Sequence, residues 1–327
     1  MRVLFAGSPA IAVPSLEALC REEGIELAGV LTNPDTPKGR SGTPLPTDVG
    51  AAAERLSRNL EEQGRAGFPV LKPLKLDGAF RDQAVLLKPD ILVSFAYGRL
   101  FGPKFLALFP LGGINIHPSL LPKYRGPTPV QAAILNRDAA TGIAVQKLAK
   151  EMDSGDIIAL EHLQLTGRET AGSLSGIVSL KAAFLLPEVL KKIASGTVKG
   201  EAQNHSEAVY CRLISKEDGF IDWGKSAAEI DAKIRAFDPW PLCRTIHNGR
   251  EILILKAEVF EESEAWNLIS PEVNSGLVLG IDKQAGILVQ TGEGILAVTE
   301  LQYQGKKALF WRDFLNGARD FPGSQLG

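Results

Sequence analysis

Residues 2–32 constrain the fold more than any other stretch of this chain. An apolar run, RVLFA at 2–6, stops at Gly7-Ser8-Pro9. Ile11, Val13, Leu16 and Leu19 then recur at helical spacing, and ELAGVLT at 26–32 is a second apolar run. Strand, tight turn, helix and strand in succession predict a parallel sheet of the doubly wound kind. The turn after the first strand lacks the GxGxxG pattern that lets a backbone close on a dinucleotide pyrophosphate, since Gly7 is followed by Ser8, Pro9, Ala10, Ile11 and Ala12. That argues against a nicotinamide or flavin enzyme. The Walker A pattern is absent as well.

The alternation continues. Helices are expected over 49–63, 80–87, 105–108 and 130–135, and strands over 69–71, 90–94 and 141–148. A long apolar-periodic helix is expected over 174–193, interrupted near Pro187. Residues 33–48 (NPDTPKGRSGTPLPTD) are too rich in Pro, Gly and Asp for regular structure. Loops of that length inside a compact domain are functional or solvated excursions. At 327 residues the chain has room for two domains of roughly 100–200 residues. Residues 195–209 are polar and read as a linker. Beyond them the texture changes: an amphipathic helix over 227–237, then short β-like runs at 244–246, 251–255, 276–281, 286–290 and 295–301, separated by Gly-containing turns. The expected fold is α/β: a doubly wound, mostly parallel, Rossmann-like sheet over 1–194, a linker over 195–209, and a small OB-like β-barrel over 210–327.

The formal net charge of −2 gives no global attraction to nucleic acid or to an anionic membrane, so a polyanion must meet a local patch. Cys20, Cys211 and Cys243 are odd in number and lack metal spacing, as expected of reduced thiols. Residues 1–7 are too short an apolar run for a signal peptide. No stretch reads as the ~20 apolar residues of a membrane helix. A cytoplasmic protein is expected.

The chemistry gathers at Ile114-Asn115-Ile116-His117-Pro118. On a strand, Asn115 and His117 share a face while Ile114 and Ile116 point into a core. Pro118 ends the strand. Asp153, in the Met152-Asp153-Ser154-Gly155 turn, follows another strand of the same sheet, so the three can converge. A histidine moves protons near neutral pH, a carboxylate orients it, and an Asn N–H can donate to a developing oxyanion. No Ser or Cys nucleophile accompanies them, which favours direct attack by a substrate amine over an acyl-enzyme. Taken alone, His117 has the simpler reading of a structural histidine capping a turn. His162, His205 and His247 lie in polar segments without ligand spacing and are expected at the surface; no metal site is expected.

At these residues the chain resembles the folate-dependent formyltransferases. NIHPSLLPKYRGPTPV, with the later MDSGD, is similar to their signature. The resemblance implies that Asn115, His117 and Asp153 form the catalytic set. It implies a pocket for 10-formyltetrahydrofolate bordered by Ser119, Leu120, Leu121 and Pro122 and by Phe95, Tyr97 and Gly98. FAGSPAIAVPSLEAL, TNPDTPKGR, ISKEDGFIDWGKSAAEIDAKIRAFDPWP and LAVTELQYQGKKAL resemble the branch that acts on aminoacylated tRNA, and so extend the likeness over nearly the whole chain. The implied reaction is formyl transfer to the α-amino group of methionyl-initiator-tRNA, by a monomer with no membrane partner. The implied tRNA contacts are Lys38 and Arg40 in the early loop and Lys216 and Lys225 in the second domain. Two departures stand out. Pro127-Thr128 replaces the usual small pair after Arg125-Gly126, and Ser41, Gly42 and Thr43 replace a basic cluster. The other readings are an N-formyltransferase of amino-sugar nucleotides, which would share the trio, and an inactive tRNA-binding protein.

Overall fold

The computed structural model describes residues 1–37, 42–260 and 274–327. Lys38 and Arg40 lie outside the described residues. The chain divides into two units, one of Met1–Pro129, Ala140–Gln164 and Ser175–Arg212, the other of Val130–Ala139, Leu165–Leu174 and Leu213–Gly327.

Among the described residues, the first unit has nine strands: β1 (Arg2–Gly7), β2 (Glu26–Leu31), β3 (Thr36–Pro37), β4 (Pro44–Leu45), β5 (Val70–Leu71), β6 (Ile91–Phe95), β7 (Gly113–His117), β8 (Ala140–Lys147) and β9 (Ile157–Gln164). Seven form one sheet in the order β5-β2-β1-β6-β7-β8-β9, and β3 and β4 pair separately. The sheet is parallel from β5 to β7. β8 runs antiparallel to both β7 and β9. This is the doubly wound, mostly parallel sheet expected from residues 2–32. Val3, Leu4, Phe5 and Ala6 on β1 and Ile91, Leu92 and Val93 on β6 are all fully buried, as a parallel sheet covered on both faces requires.

Helices α1 (Val13–Arg21), α2 (Asp48–Glu62), α3 (Gly78–Leu86), α4 (Pro103–Leu106), α5 (Pro129–Leu135) and α6 (Ala171–Ala194) follow the strands. Their starts are chemically marked. Thr47 caps α2 by accepting from Gly50 N at 2.9 Å, and Asp77 caps α3 by accepting from Phe80 N at 3.1 Å. Residues 33–48 are not wholly irregular, since Thr36–Pro37 pairs with Pro44–Leu45 as a short antiparallel ribbon, a pairing that two residues on each side suffice to make. Three further expectations need correction. β9 was not anticipated, because its residues alternate weakly along the sheet edge and only Leu163 is fully buried. α6 is continuous through Pro187 rather than interrupted there. α6 also has the length and apolar composition of a membrane-crossing helix, contrary to the reading that no stretch does. Val178, Ala182, Leu186, Val189 and Leu190 are buried, while Lys181, Glu188 and Lys191 form ion pairs at the surface.

The second unit carries α7 (Ala227–Ala236), β10 (Cys243–His247), β11 (Arg250–Phe260), β12 (Val278–Asp282), β13 (Gly286–Gln290), β14 (Ile295–Tyr303), β15 (Leu309–Phe310) and α8 (Trp311–Asn316). The strands form an antiparallel sheet in the order β10-β11-β14-β13-β12, with β15 on β14. The register of β11 slips on either side of Lys256, the kind of bulge that bends a long strand in an OB-like domain. Ser226 and Glu229 form a complete capping box at the start of α7, which puts Ile230 and Ile234 in the core. His247 is buried, not at the surface as expected. Its Nδ1 lies 2.9 Å from the Tyr303 hydroxyl, and its ring meets Phe321 edge-on at 4.8 Å. Burial lowers its pKa from the ordinary histidine value.

Candidate active site

β7 is where the sheet changes from parallel to antiparallel, and its register decides which side chains meet. Asn115 stands opposite Ser94 on β6 and opposite Gln146 on β8. His117 stands opposite Ala144. The turn after β8 brings Asp153 back over this face, with φ +52, a left-handed conformation that Asp tolerates better than most residues.

The Asp153 carboxylate is the centre of the cluster. Oδ1 accepts from Gln146 Nε2 at 2.8 Å and from Asn115 Nδ2 at 3.3 Å. Oδ2 accepts from the Gly126 main-chain N–H at 2.9 Å and lies 3.5 Å from His117 Nδ1. A carboxylate accepts only, so the amide atoms that face it are the nitrogens. That fixes both amide orientations. It also leaves the second N–H of Asn115 Nδ2 unclaimed by Asp153. The side chains of His117 and Asp153 are 5% and 11% exposed, so the pair works in a largely dry setting.

His117 is oriented from its other side. Nε2 lies 2.9 Å from the Tyr124 carbonyl, which can only accept, so Nε2 carries the hydrogen. In the neutral ring, Nδ1 is then a lone pair facing Asp153. Burial pushes the His117 pKa below the ordinary histidine value, and the Asp153 charge and the Tyr124 carbonyl pull it partly back. His117 Nδ1 and Asp153 Oδ2 face each other across a 3.5 Å gap.

The structure brings Asn115, His117 and Asp153 together. The two candidate pocket walls are arranged differently from each other. Ser119 is buried, and its Oγ donates to the Lys123 carbonyl at 2.6 Å, closing the turn. Leu120 packs onto Gly142 of β8, Leu121 is buried, and the Pro122 carbonyl accepts from Val209 N at 3.2 Å. On the other wall, Phe95 is fully buried, and the Tyr97 ring stacks on Phe101 at 5.4 Å inside the core. Of the same wall, Ala96 and Gly98 are exposed, both with positive φ. Lys216 and Lys225 are exposed in the second unit, Lys225 lying 3.8 Å from Glu229.

Two residues of the cluster were not singled out from the sequence. Gln146 has a weak signal, as the one amide in the strand TGIAVQKL. Gln203 has none, because it lies in a polar segment. No group of three or more potential metal ligands occurs among the described residues.

Comparison with known proteins adds to this geometry. Residues 1–190 match the formyl transferase family, and residues 213–319 match the formyl transferase C-terminal domain. The methionyl-tRNA formyltransferase of Treponema denticola is 48% identical over 321 residues, covering 98% of each chain. That of Borreliella burgdorferi is 39% identical over 323 residues, 99% of this chain and 98% of the relative. Among solved structures, an N-formyltransferase from Helicobacter canadensis in complex with folinic acid and dTDP-3-aminofucose shares the fold. Its TM-score is 0.63 at 21% identity, covering 90% of this chain and 98% of that one.

Proposed function

Because the chain belongs to the formyl transferase family, we propose that it transfers the formyl group of 10-formyltetrahydrofolate to the α-amino group of methionine on initiator tRNA, for translation initiation. The observation that carries this reading is the end-to-end match to methionyl-tRNA formyltransferases at up to 48% identity, second unit included. The solved N-formyltransferase bound to dTDP-3-aminofucose is only 21% identical, a likeness that shows the fold alone.

The chemistry follows from the Asp153 cluster. The free amine of the methionyl ester attacks the formyl carbon, and the carbonyl oxygen becomes an oxyanion. The unclaimed N–H of Asn115 Nδ2 donates to it. An N–H aimed at developing charge in a dry site contributes about 3–4 kcal/mol to the barrier reduction. The new C–N bond leaves the attacking nitrogen positive. His117 Nδ1 takes its proton, and the imidazolium so formed is stabilised by Asp153. The pair then returns that proton to N10 of the folate as the C–N10 bond breaks. The products are formylmethionyl-tRNA and tetrahydrofolate, and no proton is gained or lost overall.

The donor fits the residues available. The exposed main chain at Ala96 and Gly98 offers hydrogen-bonding groups to a planar heterocycle, and the Ser119–Pro122 turn is pinned from behind by its bond to Val209. The same reading gives residues 1–194 the transfer chemistry. It gives tRNA phosphates to Lys38, Arg40, Lys216 and Lys225 and to the 210–327 part. It takes the protein to be a cytoplasmic monomer, in keeping with three free cysteines. Light scattering of the purified protein tests the monomer.

The direct test is incubation of purified protein with 10-formyltetrahydrofolate and methionyl-tRNA. Formylmethionyl-tRNA is the expected product. Its absence, with formylation of an amino-sugar nucleotide instead, overturns the reading.

A further inference from the structure

Gln203 falls between the two matched ranges, which end at residue 190 and resume at 213. It is nonetheless 6% exposed and bonded on every side. Nε2 donates to the main-chain carbonyls of Asp153 at 2.9 Å and Gly155 at 2.7 Å, and lies 3.2 Å from Gln146 Oε1. Oε1 accepts from Arg125 Nε at 3.1 Å and from Nη2 at 2.7 Å.

Arg125 is the unusual member. It is 1% exposed, and no carboxylate pairs with it among the described residues. Its remaining side-chain bonds go to His205 Nδ1 at 3.1 Å and the Tyr210 hydroxyl at 3.1 Å. Burying an ion without a counter-ion costs several kcal/mol. What the burial accomplishes here is directional. A guanidinium only donates, so Gln203 must turn Oε1 toward it and Nε2 toward the 153–155 turn. Gln146 is oriented by the same logic, with Oε1 toward Gln203 and Nε2 toward the Asp153 carboxylate. The positive charge thus ends, through two amides, on Asp153 Oδ1, and bonds in such a chain polarise one another.

We infer that Gln203, oriented by Arg125, is a positioning residue of the transfer site: it holds the 153–155 turn and Gln146 so that the Asp153 carboxylate meets Asn115 and His117. This rests on the reading of Asp153 as part of that site. Gln203 touches no reacting atom. Its effect on turnover passes through Asp153 alone.

That exclusivity is testable. Full-length wild type, Gln203→Ala, Asp153→Asn and the double variant are compared for kcat, for KM toward folate donor and methionyl-tRNA, and for thermal midpoint. Asn suits the left-handed backbone at 153. A displaced catalytic group loses up to ~100-fold in rate, so Gln203→Ala lowers kcat by that order with both KM values little changed. In the Asp153→Asn background, adding Gln203→Ala leaves kcat where it was. A merely structural tie gives the same fold-loss in both backgrounds and overturns the inference. So does wild-type kcat in Gln203→Ala beside a crippled Asp153→Asn. A wild-type-like Asp153→Asn overturns the site reading and this inference with it. If Gln203→Ala does not fold, Gln203→Glu replaces it in the cycle, since it keeps an acceptor for Arg125 and sets a carboxylate oxygen, which cannot donate when ionised, against the 153–155 carbonyls.

Discussion

Asn115 and Gln146 stand opposite each other on neighbouring antiparallel strands, and both donate to the same oxygen of Asp153. The register of two strands therefore orients the carboxylate, and the carboxylate in turn orients the Asn115 amide. An amide held in this way does not have to reorganise when charge appears beside it, which is the condition under which such a donor is most effective.

Asn115→Ala removes the donor and leaves the backbone of β7 unchanged. The expected result is a loss of about 10²–10³ in kcat with donor KM nearly constant, read from initial rates of methionyl-tRNA formylation. A KM effect with kcat intact would show that Asn115 serves binding and not the oxyanion.

In the proposed reaction the neutral imidazole of His117 is the base. Because burial lowers its pKa from the ordinary ~6.5, the base form persists at pH values where an exposed histidine has become charged. The ratio kcat/KM should stay level from pH 8 to about 6.5 and fall only below that. Stability has a linked sign. Between the folded and unfolded pKa values the unfolded chain binds more protons, so the contribution of neutral His117 is complete above ~6.5 and declines as pH falls from there. Buried His247 acts in the same direction. Urea midpoints measured from pH 7.5 down to 5.5 test this, and a rise on acidification would contradict it.

Gly155 closes the turn that carries Asp153. A Cβ there would lie 1.9 Å from the Lys147 carbonyl oxygen, which is backbone and cannot rotate away. Gly155→Ala is expected to destabilise by about 1–3 kcal/mol, as overpacking does, and to lower kcat at temperatures where the variant remains folded. Denaturant melts and steady-state rates on the same preparation separate the two effects.

Cys243 is fully enclosed, and burial pushes its thiol up to about 12. Iodoacetamide at pH 8 should leave it unmodified in the native protein and alkylate it after denaturation, since the thiolate is the reactive form. Peptide mass mapping of the two samples gives the answer, and native labelling at 243 would refute the enclosure.

Lys225 is exposed beside a carboxylate 3.8 Å away. If it contacts a tRNA phosphate, Lys225→Ala weakens tRNA binding and reduces the slope of log affinity against log salt by about one. An unchanged slope removes it from the interface.

Much of the first unit was legible because its strands are short apolar runs ended by Gly, Pro or Asp. Asn115 and His117 were legible as one face of such a run. Gln146 was harder to find, since its importance depends on an antiparallel register with β7, and that register is a long-range property. Gln203 was illegible. Its segment is polar, its partners are distant in sequence, and nothing local distinguishes a solvated glutamine from one enclosed by Arg125. β9 escaped for a related reason: an edge strand needs few buried residues, so its pattern resembles a loop. His247 is flanked in sequence by Ile246 and Asn248, but its neighbours in space are Tyr303 and Phe321.

Arg125 and Gln203 are 78 positions apart in the chain. On a ribosome the strand bearing Asn115 and His117 emerges well before the amide that locks Asp153. A nascent chain ending near Ile193 would already contain all three reactive side chains but not this lock. Until residue 203 arrives, Arg125 lacks the amide oxygen that it binds in the finished protein. The full set of bonds around the 153–155 turn can therefore close only once residue 203 has been made.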